Sequence, residues 1–111
     1  ITIDDSGLDD GPASGGGEWQ WLPSKPDSQL DIDILAGYLS TADVTITTGT
    51  SGNQDGDVIF NAGRYLESGD PTGYSLTVEA ERNIEFTTGD GIKFTGDGDV
   101  KLYAGGHITS V

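Results

Sequence analysis

Five apolar residues, Leu76, Ile84, Ile92, Val100 and Ile108, stand eight positions apart without a break. Four of them open a short apolar–x–apolar run, Leu76-Thr77-Val78, Ile84-Glu85-Phe86, Ile92-Lys93-Phe94 and Val100-Lys101-Leu102, and Ile108-Thr109 begins a fifth. Such alternation marks a half-buried strand, because successive side chains point to opposite faces. Between the runs lie Thr88-Gly89-Asp90-Gly91 and Gly96-Asp97-Gly98-Asp99. These are turn sequences, in which glycine reaches positive φ without steric cost and aspartate bonds nearby backbone. A strand and its corner fill the eight-residue step, leaving no room for the long crossover that joins parallel neighbours in an αβ unit. A fixed step is instead the mark of a repeat architecture. Three strand-plus-corner faces make a triangular turn of 24 residues, in which Leu76 stacks on Val100 and Ile84 on Ile108.

The register continues upstream with insertions. Leu66 follows Val58 by eight, Leu76 follows Leu66 by ten across 68–73, and Val58 follows Val44 by fourteen across 48–56. Three columns are expected: Val44, Leu76 and Val100; Val58, Ile84 and Ile108; Leu66 and Ile92. An antiparallel meander or sandwich accounts for the Asp-Gly turns but not for the unvarying step. The chain is therefore expected to be all-β, a parallel β-helix (β-solenoid) of about three coils, each strand covering the one below. Residues 30–111 form the expected solenoid domain. Leu30-Asp31-Ile32-Asp33-Ile34 alternates and reads as its first strand, and almost no helix is expected. Residues 1–29 read as an irregular Gly/Pro/Asp-rich arm or cap, with a Gly-Gly-Gly run and three of the four prolines. Ile1-Thr2-Ile3 and 18–22 are candidate short strands there. Trp19 and Trp21 are expected to cover an open end of the core, to stack on a sugar or to meet a neighbouring subunit.

Nineteen acids against five bases give a net charge of −14. A surface of that sign repels phosphate backbones and anionic lipid, which argues against nucleic-acid and membrane-surface roles. No apolar run approaches the length of a membrane span. The absence of cysteine removes disulfides and thiolate metal sites. A chain that begins at Ile1 and contains no Met is expected to be a processed product or an excised piece.

The stretches LSTADVTITTGTSGNQDGDVIFNAG (39–63) and YSLTVEAERNIEFTTGDGIKFTGDGDVKLYAGG (74–106) carry a resemblance. Residues 30–111 resemble the β-helical repeats of large secreted adhesins of the filamentous-haemagglutinin, two-partner-secretion type. In that family a Val-Thr-Ile-Thr-Thr strand, a Gly/Asn-rich loop and a Gly-Asp-Val strand recur ahead of a Ser-Leu-Thr-Leu-like strand and an Asn-Ile strand. The resemblance implies a right-handed parallel β-helix that forms part of a long extracellular rod, secreted or held at the cell surface. It implies no binding residue, since receptor-binding loops differ between family members.

Candidate chemistry is sparse. Polysaccharide lyases need carboxylates on Ca²⁺ beside a basic residue, and hydrolases need two facing carboxylates. The outward positions of the repeat are Thr77, Glu85, Lys93, Lys101 and Thr109, with Glu85 expected on Thr109 and Thr77 on Lys101, so no such pair arises. His107 has no second His or Cys beside it. An enzyme is not expected, and no cofactor is implied. Asp55 and Asp57, and Asp97 and Asp99, are weak Ca²⁺ candidates, being paired carboxylates on tight turns. A repeat that stops at Ile108-Thr109-Ser110-Val111 leaves strand edges and an apolar cross-section exposed, a template for association. Ile1, Ile3, Trp19, Trp21, Ile108 and Val111 are accordingly the expected interaction residues. The expected function is a structural module: a rod segment, or a filament subunit stacked end to end, with the N-terminal arm adding a strand to a neighbour. A surface glycan or protein is a candidate partner, and a carbohydrate-binding or polysaccharide-processing β-helix is the alternative.

Overall fold

The computed structural model describes residues 1–9, 13–14, 18–21, 28–48, 56–68, 74–94 and 98–110. The chain runs β1 (Thr2–Asp4), β2 (Ala13–Ser14), β3 (Glu18–Trp21), β4 (Gln29–Asp31), α1 (Ile32–Leu39), β5 (Asp43–Thr47), β6 (Val58–Phe60) and β7 (Tyr65–Ser68). It continues through β8 (Leu76–Ala80), β9 (Ile84–Phe86), β10 (Gly91–Phe94), β11 (Val100–Ala104) and β12 (Ile108–Ser110). Three sheets result. Sheet I has the order β12-β9-β6-β1-β4, sheet II β11-β8-β5-β3-β2, and sheet III pairs β10 with β7. Every pairing among these is parallel except that of β2 with β3.

From β5 onward consecutive strands never pair. The chain visits sheets II, I and III in turn, so each strand meets the one three elements later. The expected columns are met residue for residue: Val44 with Leu76 and Leu76 with Val100, Val58 with Ile84 and Ile84 with Ile108, Leu66 with Ile92. Three steps return an apolar residue to the same place on the same sheet: 24 residues for Leu76–Val100 and Ile84–Ile108, and 26 or 32 in the upstream pairs, whose longer connections take up the extra residues. The inward residues of all three sheets share one core with Ile32, Leu35 and Leu39 of α1. Phe60 and Phe86 stack within it, ring centroids 4.6 Å apart and planes 13° from parallel. Burial of each such side chain is worth about 1.5–3 kcal/mol.

Two features of the N-terminal third depart from expectation. The first is α1. The alternation of residues 30–34 predicts a strand, but β4 ends at Asp31 and a helix of eight residues begins. Asp31 is its N-cap, with the side chain accepting from the Asp33 and Ile34 N–H groups at 2.8 and 3.3 Å. Ile32, Leu35 and Leu39 are buried at helical spacing. Two alternating pairs are too short a sample to outweigh the N-cap and that longer period. The expectation of almost no helix is corrected accordingly.

The second is β1. It lies between β4 and β6 rather than on a sheet edge, with Ile3 paired to Leu30 on one side and to Phe60 on the other. Thr2 N–H donates to the Ser28 carbonyl (2.9 Å), while Ile59 and Asn61 N–H donate to the Ile1 and Ile3 carbonyls (2.8 and 2.7 Å). Ile1 and Ile3, expected to reach a neighbouring molecule, are instead buried in their own sheet. No helix of the described residues is long and apolar enough to cross a membrane.

Candidate functional site

The two ends of the sheet stack differ in how their edges are finished. At the β4 end, Asp31 N–H donates to the Leu8 carbonyl (2.7 Å) and Asp9 bridges Leu30, so the outer edge of β4 carries a short return of the chain. Beside it β2 runs antiparallel along β3, and α1 packs against β7. At the other end β10, β11 and β12 each have one neighbouring strand among the described residues. Ile92, Phe94 and Leu102 are only half buried there, and Val100, Tyr103 and Ile108 are exposed, at 38%, 57% and 49%. A cleft of about 440 Å³ opens between the three edges, lined by Phe86, Ile92, Val100, Leu102, Ile108 and Ser110. This is the interior of the core coming to the surface.

Corner residues tie each strand to the next by a recurring pair of hydrogen bonds. Asp43 Oδ1 accepts the Ser75 N–H (2.8 Å) while Val44 N–H donates to the Ser75 carbonyl (2.9 Å). Ser75 Oγ accepts the Asp99 N–H (3.0 Å) while Leu76 N–H donates to the Asp99 carbonyl (2.9 Å). On the neighbouring sheet Asp57 Oδ1 accepts the Asn83 N–H (3.1 Å), and Val58 N–H donates to the Asn83 carbonyl (2.9 Å). Asn83 Oδ1 in turn accepts the His107 N–H (2.8 Å), and Ile84 N–H donates to the His107 carbonyl (2.9 Å). In every case a short oxygen-bearing side chain and the next residue's N–H grip both polar groups of the residue that leads into the neighbouring strand of the sheet. Satisfying both groups at a turn removes a desolvation penalty the sheet ladder alone would leave. This gripping role is not among the expectations from the sequence, which reads Asp57 and Asp99 only as weak calcium candidates, although the signal is there: Asp43, Asp57, Ser75, Asn83 and Asp99 each immediately precede an apolar–x–apolar run.

Close approach at these corners also explains two glycines. A Cβ on Gly105 would lie 2.2 Å from the Glu81 carbonyl oxygen, and one on Gly106 would lie 2.4 Å from Asn83 Oδ1. Only glycine lets the later corner seat directly on the earlier one.

The acidic residues are largely answered within the chain. Asp5, Asp31 and Asp33 bring carboxylate oxygens within 4.8 Å of one another. Arg64 sits among them, with Nη1 and Nη2 on the two Asp33 oxygens and Nη2 also on Asp5, each at 2.9 Å. Those carboxylates hold the guanidinium pKa above its ordinary value, against its partial desolvation. Asp31 Oδ2 accepts the Gly7 N–H (2.9 Å), and this bond, helped by those from Asp33 and Ile34, holds the buried carboxyl below its ordinary range. The group is an ion-pair and capping node.

Of the four calcium candidates, Asp55 and Asp97 lie outside the described residues, as does Val111. Asp57 is engaged by Arg82 through Nε (3.2 Å) and Nη2 (2.6 Å), which depresses its pKa, and by the Asn83 N–H. Asp99 stands on the open edge of sheet II. Trp19 and Trp21 fall in register with Val44 and Ile46. Along β6–β12 no carboxylate opposes another in register: Glu85 lies between Ile59 and Thr109, Glu67 beside Lys93, and Glu79 beside Tyr103. Comparison of the chain with family models, with curated proteins and with solved structures finds no match.

Proposed function

We propose that this chain is a non-catalytic structural module: a segment of a right-handed parallel β-solenoid rod, finished at its β4 end and extendable at its β10–β12 end. The single observation carrying this reading is the contrast between covered and open edges on strands that share one register. Exposed strand edges with apolar side chains between them are an association template, and soluble proteins cover such edges where no partner is meant to bind. Here three lie side by side around the exposed end of the core. The similarity of residues 30–111 to haemagglutinin-type adhesin repeats supports an extracellular or cell-surface setting, in which an acidic rod stays soluble and holds other elements away from a surface.

Lengthening the chain tests the proposal. Val111 follows Ser110, the register partner of Phe86, so a second copy of residues 88–111 appended after it continues the step. The lengthened protein is expected to extend by one strand spacing, about 4.8 Å, to melt at a higher temperature and to protect the amides of β11 and β12 from exchange. An appended copy that stays protease-sensitive, with no gain in protection, would overturn the rod.

A second reading rests on the shallow groove beside the open end that is lined by Thr47, Glu79, Glu81 and the exposed Tyr103. An aromatic face with flanking carboxylates suits a sugar, and glycan-array binding lost in Tyr103→Ala would favour carbohydrate recognition over a purely structural role.

A further inference from the structure

From β3 onward each element meets the one three places later, with a single exception among the described residues. β3 pairs with β5, α1 packs against β7, and β5 to β9 pair in turn with β8 to β12. The same rule would pair β4 with β6, but β1 stands between them. By chain order the strand between β3 and α1 is β4. Its place beside β6 is filled instead by a segment from the other side of β3, and β4 lies one strand further out.

β4 nevertheless fits that place. Thr2-Ile3-Asp4 and Gln29-Leu30-Asp31 lie opposite each other residue by residue, and each reads polar, apolar, Asp. Ile3 and Leu30 are both fully buried, and with Phe60 they make one column. The Ser28 carbonyl accepts the Thr2 N–H and so points toward β6 already. The Ile59 and Asn61 N–H groups now donate to the Ile1 and Ile3 carbonyls. A shift of β4 by one strand spacing, about 4.8 Å, would bring the Ser28 and Leu30 carbonyls to them instead. The register is unchanged by this shift, so no side chain of β4 turns to the other face.

Residues 5–9, which lead away from β1, are exposed. Asp5 meets Arg64 at the surface, the Gly7 N–H donates to Asp31, the Leu8 carbonyl accepts the Asp31 N–H, and the Tyr38 hydroxyl donates to Asp9. The buried part of the segment is Ile1 and Ile3.

We propose that β1 is an exchangeable plug: the chain has a second arrangement in which residues 1–9 leave sheet I and β4 moves onto β6 in the same register. The exchange gives up the burial of Ile1 and Ile3 and gains an uninterrupted coil β3–β4–α1. The arrangement with β1 inserted is therefore the major one, and the other is a minor state of the same fold. In that state residues 1–9 form an extended arm with Ile1 and Ile3 on one face, the form in which a strand is offered to the edge of another sheet. The device belongs to the β4 end and does not depend on extension at β10–β12.

The chain contains no cysteine, so introduced pairs report on one contact each. Thr2, Ile59 and Gln29 are partly exposed positions of one outward column. Gln29 and Ile59 stand two strand spacings apart, about 9–10 Å, beyond the roughly 7 Å that a disulfide spans. In the full chain, Gln29→Cys/Ile59→Cys is expected to close an intramolecular disulfide under mild oxidation, more slowly than the adjacent pair Thr2→Cys/Ile59→Cys. The closed form should lose amide exchange protection at Thr2 and Asp4 by about tenfold or more while β8 and β9 keep theirs. Ile3→Asp places a carboxylate in the core and should expel β1. That variant is expected to stay folded, unlike Leu76→Asp, and to speed closure of the 29–59 pair by about tenfold or more. The plug is overturned if the 29–59 pair stays reduced while the 2–59 pair closes. It is equally overturned if Thr2 stays protected in the closed form, or if Ile3→Asp unfolds as Leu76→Asp does.

Discussion

The stack of strands from β8 to β12 and the segment from β1 to α1 solve the same problem in opposite ways. In the later region one rule repeats: an apolar residue every eighth position, a short corner before it, and a parallel partner three strands away, 24 residues for β8–β11 and β9–β12. Its geometry is regular, and its last strands have open edges. In the earlier region nothing repeats. A three-residue strand sits between β4 and β6, a helix takes the place beside β7, and a return of the chain bonds β4 from outside. The difference teaches that repetition builds length but cannot end itself, because every added strand exposes a fresh edge. Termination requires a sequence that breaks the rule.

The comparison breaks most visibly within one column. Ile84 and Ile108 are register partners, one fully buried and the other half exposed. Ile84→Ala is expected to cost about 2–5 kcal/mol, and Ile108→Ala about 0.5 kcal/mol or less, in urea unfolding followed by circular dichroism. Equal costs would mean that the open end is covered in solution. Next in size is the glycine contrast. Gly105→Ala drives a methyl into the Glu81 carbonyl oxygen and should cost about 1–3 kcal/mol. Gly7→Ala meets nothing within 4 Å and is charged only for its φ of +76°, about 1 kcal/mol. Asp31→Ala removes the cap of α1 and the acceptor for Gly7, and a loss of about 1–2 kcal/mol is expected, with Asp31→Asn milder.

Smaller still is an effect of pH. The Gly7 N–H holds the Asp31 carboxyl below its unfolded value, and Arg82 does the same for Asp57. The stability these groups contribute is therefore fully present above the ordinary aspartate range, near pH 4, and is lost as pH falls through their depressed folded values. Acid titration of Asp57→Asn should show a shallower fall than the parent. The smallest effect is expected for Arg64→Ala. Its ion pairs are solvent-exposed, so the variant should unfold indistinguishably from the parent at moderate salt.

Legibility follows the same division. The columns from Val44 to Ile108 were readable because a strand alternates every two residues and a fixed step aligns those alternations without knowledge of distant partners. The corner grips were readable in principle, since Asp43, Asp57, Ser75, Asn83 and Asp99 occupy one position relative to the runs they precede, but their purpose appears only when a later residue arrives to be held. Helix α1 was hidden by Leu30-Asp31-Ile32-Asp33-Ile34, where strand alternation and the start of a helical stripe coincide, and Asp31 decides between them through its bonds to Asp33 and Ile34. The place of β1 could not be read at all. Ile3 pairs with Leu30 and with Phe60, and nothing local in Ile1-Thr2-Ile3 distinguishes an edge strand from an interposed one.

From Val44 onward, the amino-acid sequence alone determined which residues lie on one column and that each strand pairs with the one three steps later, because those properties follow from local periodicity. Only the tertiary structure decided which end of the stack is covered. Closing an edge depends on a segment from elsewhere in the chain finding unpaired N–H and carbonyl groups, and that choice is made by three-dimensional proximity rather than by spacing.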